Sequence, residues 1–327
     1  WRGQTGHGGA NILAAPAQRG PSPQSAFPLN PEPEDMPVPG LDPVAAQRWL
    51  SRPRKQSPWL HEEVARRMGE RLQWFRDPPA SWLHWEPVLG GLQAHRSLVE
   101  RLPAARCHVA AHDMPLALAA TRDPSRRSWN PLQWRRGQIA AGADTPVAML
   151  GANMVLHHVA RPQPRLRQWH RQIQTDGFLM FSCLGPDSLR ELRAVYARAG
   201  WPDPTHPFTD MHDWGDMLVH NGFAEPVMDM ERISLSFSGA GPLLDELRSL
   251  GRNLNAGRFG ALRGRAWRRS LERAIDQGLP RSEDGRLLLT FEVIYGHAFK
   301  ATPRPRRSDS QSVSMDEMRA MLRDRRS

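Results

Sequence analysis

The stretch Val147–Arg193 constrains the fold of this 327-residue chain more than any other. Two apolar runs, VAMLGANMVL and FLMFSCLG, lie on either side of a polar segment in which Leu166, Trp169 and Ile173 recur at intervals of three and four. That spacing predicts a helix, and Gly177 is expected to end it just before the second run. Apolar runs without alternation are typical of strands buried on both faces of a parallel sheet. The stretch therefore predicts a strand–helix–strand unit, because parallel strands need a crossover of about this length.

Strand-like and helix-like segments alternate along the rest of the chain. Further strands are predicted at 82–88, 107–111, near 132–139, 223–237 and 286–301, and the most strongly patterned helices at 59–75, 92–102 and 209–222. This alternation favours an α/β fold with a mostly parallel sheet. The two long final strands are separated by a helical insert at 240–280, and one of them is expected to run antiparallel to the other strands.

The two ends of the chain differ from its middle in composition. Residues 1–40 are rich in Pro, Gly, Gln and Ser without apolar periodicity, so they are predicted to be disordered. Residues 302–327 are polar and basic and are predicted to form a mobile tail. A single domain is therefore expected over residues 41–301.

The chain is strongly basic, with a formal net charge of +10. Only Lys55 and Lys300 are lysine, and every other basic side chain apart from histidine is arginine. Such a bias resembles genome-wide codon composition, so a single arginine is weak evidence of a site. The excess charge can steer an acidic partner, either a nucleic acid or an acidic carrier protein, or can simply be a solvated surface. Nucleic-acid binding is not favoured, because no known nucleic-acid motif accompanies the charge.

The cysteine and histidine patterns bound the location and the metal chemistry. Cys107 and Cys183 lie in apolar runs and predict two buried free thiols, and the visible start lacks a signal-peptide pattern, so a cytoplasmic location is favoured. No apolar run approaches the roughly 20 residues of a membrane span. Metal binding is not expected, because adjacent His157 and His158 point to opposite sides and no Cys/His spacing completes a zinc site.

Several strings occur in the order found in class I S-adenosylmethionine-dependent methyltransferases. They are Gly151–His158 in the fourth strand, Gly177–Ser182 in the fifth, Gly185–Leu192 after it, Leu247–Gly251 in the insert and Leu289–Gly296 in the last strand. Within that class the chain resembles the malonyl-acyl-carrier-protein O-methyltransferase family of biotin biosynthesis. The resemblance implies a Rossmann-like sheet, S-adenosylmethionine as cofactor, and an acyl-carrier protein or another acidic carrier as partner.

The implied reaction moves a methyl group from the sulfonium of S-adenosylmethionine to the free carboxylate of a malonyl thioester. A carboxylate is already a nucleophile, so the protein has to align the reacting atoms and exclude water rather than supply a strong base. The alternative hypothesis is a methyltransferase fold that has lost catalysis and acts as a binding or scaffolding protein, because the family's Gly-x-Gly-x-Gly cofactor loop is incomplete here.

The resemblance implies a cofactor site at the ends of the first three strands. Glu86 is the candidate for the acid that follows strand one, and Gly90 and Gly91 stand for part of the glycine loop, although a simple turn explains them equally well. Asp113 is the candidate for the ribose hydroxyls, with a helix N-cap as the alternative. Near strand three, Gln138 is the nearest polar substitute for the residue that contacts adenine.

Two residues near strand four are the catalytic candidates. Asn153 lies where that strand ends, and ligands of parallel sheets gather beyond the carboxyl ends of strands, so Asn153 is a cofactor-binding candidate as well. His158 follows and is expected to line the substrate pocket. In the insert, Arg248 and Arg252 are the candidates for the malonyl carboxylate or the carrier's phosphopantetheine, with Arg258 as a third, because guanidinium forks suit such anions.

Overall fold

The computed structural model describes residues 37–122, 139–140 and 146–302. Most of the predicted disordered segment, almost all of the predicted basic tail and Gln138 lie outside the described residues. Those three interpretations stay predictions, as does the single domain over residues 41–301.

The helices and strands of the described ranges alternate as the sequence predicts. The helices are α1 (Pro43–Leu50), α2 (Trp59–Glu70), α3 (Pro87–Gly90), α4 (Leu92–Arg101), α5 (Met114–Thr121), α6 (Pro162–Gln172), α7 (Arg190–Arg198), α8 (Met211–His220), α9 (Ala240–Leu250) and α10 (Arg265–Gly278). The strands are β1 (Ser81–Trp85), β2 (Arg106–Ala110), β3 (Ile139–Ala140), β4 (Val147–Ala152), β5 (Ile173–Leu184), β6 (Ala224–Phe237) and β7 (Leu287–Phe299).

These strands form one seven-stranded sheet in the order β3-β2-β1-β4-β5-β7-β6. Neighbouring strands from β3 to β5 are parallel, whereas β7 pairs antiparallel with both β5 and β6. The helical insert α9–α10 separates the two long strands. The prediction of a mostly parallel sheet with one antiparallel strand is therefore confirmed.

The first strand ends earlier than the sequence predicts. It ends at Trp85, and the expected continuation to Val88 is instead the short helix α3. Glu86 takes a left-handed backbone conformation (φ 54°), which turns the chain out of the strand. Pro87 then occupies the first helical position, where its fixed φ is favourable and its missing N–H costs nothing.

The helix of the strand–helix–strand unit ends before Gly177, which was predicted to end it. It stops at Gln172, and β5 begins at Ile173. The pairing of β4 with β5 shifts between Val147 and Met149, so residues 174–177 form an irregular stretch of the strand. Gly177 is needed for close approach, because a Cβ there would lie 2.7 Å from the carbonyl oxygen of Ala148.

The core lies on both faces of the central strands. On one face Trp169 of α6 and Trp214 of α8 pack with Phe181 of β5 in a single cluster, and all three side chains are buried. Cys107 and Cys183 are buried and unbridged, so the prediction of free thiols is confirmed. Burial raises the pKa of the Cys107 thiol to about 12. None of the helices in the described ranges combines the length and apolar character of a membrane span.

Candidate functional site

A cleft of about 920 Å³ lies between α2, α4 and α9. Its lining includes Trp82, Met149 and Met180 from the sheet, and charged side chains from the helices. Ligand sites of small molecules usually measure about 300–1,000 Å³ and combine apolar walls with a few polar groups. The cleft is therefore large enough for a nucleotide-sized ligand or for the arm of a carrier protein.

Only two of the predicted site residues line this cleft. Arg248 and Arg252 do so from the end of α9 and the residues just beyond it. The other predicted residues lie outside its lining, namely Glu86, Gly90, Gly91, Asp113, Asn153 and His158. Arg258, the third arginine candidate, pairs with Asp42 at 2.7 Å and so joins the insert to the start of α1. Arg248 and Arg252 therefore stay the predicted substrate-binding residues, because both line the cleft.

Asn153 is completely buried at the end of β4 and ties four segments together. Its side-chain amide donates to the carbonyl oxygen of His61 in α2 at 2.8 Å and to that of Gly90 in α3. Its side-chain oxygen accepts from the hydroxyl of Ser182 in β5 at 2.6 Å. Every polar group of the amide is thereby used within the protein, which favours a structural role at the end of β4 over contact with a ligand.

Glu86 links the end of β1 to the residues that follow β2. Its carboxylate accepts from the backbone N–H of His112 at 2.7 Å and lies 2.5 Å from the Nδ1 of the same residue. The side chain is 6% exposed. Asp113, the next residue, accepts from the N–H of Leu116 at 3.0 Å and is the N-cap of α5. The cofactor roles of Glu86 and Asp113 stay predictions, and both carboxylates already have protein partners.

The glycine pair is packed against protein on both sides. A Cβ on Gly90 would lie 3.2 Å from the carbonyl oxygen of Asn153. Gly91 has a φ of 134°, and a Cβ there would lie 3.0 Å from the Ala65 methyl and 3.1 Å from the Glu62 carboxylate. Both glycines are buried, and each has protein atoms directly in its Cβ direction.

The N-terminus of α4 is capped by side chains that the sequence analysis missed. The carboxylate of Glu62 accepts from the N–H groups of Gln93 and Ala94 at 3.1 Å, and the hydroxyl of Ser57 accepts from that of Leu92 at 2.8 Å. The first N–H groups of a helix and its dipole favour an anion, and here the Glu62 carboxylate is that anion. No local signal could have found this contact, because the partners are about thirty residues apart. A cofactor in the cleft would meet Ser57, Glu62 and Gln93 here.

Removing the Glu62 cap should destabilise the protein measurably. We expect Glu62→Ala to lower the free energy of unfolding by about 1–2 kcal/mol, the usual cost of a lost N-cap. Glu70→Ala on the same helix is the control, because the Glu70 side chain is half exposed and its one ion pair among the described residues is with exposed Arg66. Urea unfolding compares the two, and equal losses would show that the Glu62 cap contributes nothing of its own.

Four buried histidines lie near the ends of β4 and β5. They are His61, His157, His158 and His206. Burial lowers the pKa of His61 to about 4, and burial also lowers the pKa of each of the other three. The ring of His158 has no hydrogen-bond partner for either nitrogen among the described residues. Within those residues no group of three or more His, Cys, Asp or Glu side chains has the geometry to hold a metal ion.

The lowered pKa values of these histidines predict that the folded protein loses stability at acidic pH. An unfolded histidine binds its proton near pH 6.5, whereas His61 in the folded protein stays neutral until about pH 4. Unfolding therefore takes up protons between these values, and stability falls as the pH is lowered through them. Each such histidine should contribute about 1.4 kcal/mol per pH unit. Urea unfolding at several pH values measures the slope, which should decrease in His61→Gln; an unchanged slope in that variant would contradict the prediction.

Buried polar atoms without partners mark one end of the cleft. Trp49 of α1 is 6% exposed, and its indole N–H has no hydrogen-bond partner within the described part of the chain. The same is true of Nε of Arg54, although its other nitrogens donate to the carbonyl groups of Trp49, Leu50 and Arg52. Both side chains line the cleft. Both donor atoms are buried, so a ligand in the cleft does not contact them in the described conformation.

The sheet and the cleft together define the class of protein. The order β3-β2-β1-β4-β5-β7-β6 with an antiparallel β7 is the Rossmann-like sheet implied by the resemblance to class I S-adenosylmethionine-dependent methyltransferases. Comparison with known proteins narrows the class. The chain belongs to the malonyl-[acyl-carrier protein] O-methyltransferase family.

Two relatives show that the chain belongs to this family. The chain is 38% identical over 270 residues to the malonyl-[acyl-carrier protein] O-methyltransferase of Gallionella capsiferriformans, covering 78% of this chain and 88% of that protein. It is 38% identical over 260 residues to that of Laribacter hongkongensis, covering 76% and 85%. No family model matches the chain. Among solved structures, a candidate methyltransferase of Bacillus halodurans overlaps with a TM-score of 0.47 at 12% identity, covering 72% of this chain and 99% of that one.

Proposed function

We propose that this chain transfers the methyl group of S-adenosylmethionine to the free carboxylate of a malonyl group carried by an acyl-carrier protein, in biotin biosynthesis. The observation that carries the proposal is the 38% identity that extends over 88% of a relative bearing that name. The two buried free thiols suit a reducing compartment, so we propose that the reaction takes place in the cytoplasm.

The cleft supplies what such a transfer needs from the protein. S-adenosylmethionine would supply an electrophilic methyl group, and the malonyl carboxylate needs no activation by a base. The chain therefore has to hold its substrate in line and keep water out. Buried apolar side chains at Trp82, Met149 and Met180 line the cleft and exclude water. Arg248 and Arg252 line the cleft, and we propose that they recognise the anionic substrate.

A methyl-transfer assay tests the proposal. The full chain is incubated with S-adenosylmethionine and a malonyl-loaded carrier protein, and the methyl ester is detected by mass spectrometry. We expect ester with the malonyl carrier and none with an acetyl carrier, which has no free carboxylate. Absence of ester from folded protein would leave the alternative of a catalytically inactive fold that acts as a scaffold.

A further inference from the structure

Charge is distributed unevenly along the cleft. On the α2–α4 side, three arginines are matched by three glutamates; they are Arg66, Arg96, Arg101, Glu62, Glu63 and Glu70. Arg66 pairs with both Glu63 and Glu70, at 2.8 and 2.5 Å, and Glu62 caps α4. This side of the cleft is therefore close to neutral.

The side formed by α9 and the residues after α1 is strongly positive. Its lining holds five cations and one acid, namely Arg52, Arg54, Lys55, Arg248, Arg252 and Glu246. Burial raises the pKa of the Glu246 carboxyl, which weakens it as a counter-charge. Among the described residues, the only acidic side chain within ion-pair distance of these arginines is exposed Asp245, 3.0 Å from Arg248. We call Arg52, Arg54, Arg248 and Arg252 the arginine group.

Two members of the arginine group, Arg54 and Arg252, lie against the Trp49 ring. The guanidinium carbon of Arg54 lies 4.4 Å from the centre of the Trp49 ring, and that of Arg252 lies 5.3 Å from it. After burial, repulsion from Arg52 and Arg248 lowers the pKa of Arg252 further. Like charges held this close together are unfavourable unless an anion joins them.

We infer that the arginine group binds the phosphodiester through which a carrier protein holds its prosthetic arm. This inference rests on the proposed function, which makes an acyl-carrier protein the substrate. A phosphodiester offers several acceptor oxygens to several guanidinium forks, and the uncharged arm beyond it can follow the apolar wall at Trp82, Met149 and Met180.

The position of the group favours the phosphodiester over the malonyl carboxylate. Arg52, Arg248 and Arg252 are exposed at the mouth of the cleft. The phosphodiester is the end of the arm next to the carrier protein, whereas the malonyl carboxylate is at the far end and must reach the dry interior for methyl transfer. The mouth is therefore the place where the carrier's surface and its phosphodiester arrive.

Two small substrates isolate the phosphate. Malonyl-pantetheine 4′-phosphate and malonyl-pantetheine share the carboxylate and the arm and differ only in the phosphate. We expect kcat/KM of the full chain to be about tenfold higher for the phosphate form, through KM rather than kcat, as for a contact made equally in the ground and transition states. Tenfold corresponds to about 1.4 kcal/mol.

In the double variant Arg52→Gln with Arg252→Gln, the ratio of kcat/KM for the phosphate form to that for malonyl-pantetheine should fall close to one. Arg54 is left in place, because it caps α1. The control Arg269→Gln removes an exposed arginine of α10 that does not line the cleft and should keep the tenfold preference. Circular dichroism checks that both variants fold. A preference that is absent from the unmodified chain, or that survives in the double variant, would overturn the inference.

Direct binding separates this inference from the proposed function. Calorimetry with pantetheine 4′-phosphate and with pantetheine, neither carrying a malonyl group, should show the same preference without any turnover. If the binding preference is found but neither malonyl substrate is methylated, the inference stands and the proposed function fails. If both substrates are methylated equally well and calorimetry shows no preference, the function stands and the inference fails.

Discussion

Asn153→Ala is expected to lower the free energy of unfolding by about 2–5 kcal/mol. The substitution removes two donated hydrogen bonds and one accepted one in a side chain that is 0% exposed. It leaves the carbonyl groups of His61 and Gly90 and the hydroxyl of Ser182 buried without this partner. Each buried polar group left unpaired costs about 1–3 kcal/mol, and partial relaxation keeps the sum in the stated range.

The matched control for this prediction is Asn253→Ala. Asn253 also donates a side-chain hydrogen bond to a backbone carbonyl, that of Asp203 at 2.6 Å, and accepts one from the N–H of Asn255 at 2.9 Å, but it is only partly buried. We expect its effect to stay within about 0.5 kcal/mol. Chemical denaturation measures both variants. Unchanged stability in Asn153→Ala with loss of methyl transfer would instead support the catalytic role predicted from the sequence.

Trp169→Ala should be at least as damaging, with an expected loss of about 3–5 kcal/mol. The side chain is 0% exposed on α6 and meets the Trp85 ring edge-on at 5.7 Å between centroids. Its indole N–H has no hydrogen-bond partner among the described residues, so its contribution is apolar packing, and the cavity left behind is lined by the core.

Trp59→Ala provides the comparison for Trp169. Trp59 begins α2 and is 59% exposed, so its loss should change stability by no more than about 0.5 kcal/mol. Urea unfolding of the two variants side by side tests the assignment of the core. Comparable losses in both would mean that α6 does not pack against the sheet as described.

The sheet could be predicted from the sequence because its signals are local. Unbroken apolar runs at Val147 and Phe178 marked buried strands, and the two long final strands with an insert between them marked the antiparallel edge. The boundaries failed where the backbone depends on contacts that are distant in sequence. Glu86 turns the chain with a left-handed conformation, and its carboxylate meets His112.

The site was harder to predict than the fold for the same reason. Asn153 was correctly expected at a strand end, but its partners come from α2, α3 and β5, which no local pattern reveals. The cap that Glu62 provides for α4 is likewise a distant contact. Arg248 and Arg252 were found through the resemblance alone, because a sequence with so many arginines gives each one little weight.

The central claim is that this chain binds S-adenosylmethionine as a working methyltransferase, although its glycine pair is packed against protein. Calorimetric titration of the full chain with S-adenosylmethionine tests this claim most directly. We predict saturable heat with one cofactor per chain. No heat at about 1 mM cofactor, the weak end of ordinary enzyme affinities, from protein shown to be folded would contradict the claim and favour the scaffolding alternative.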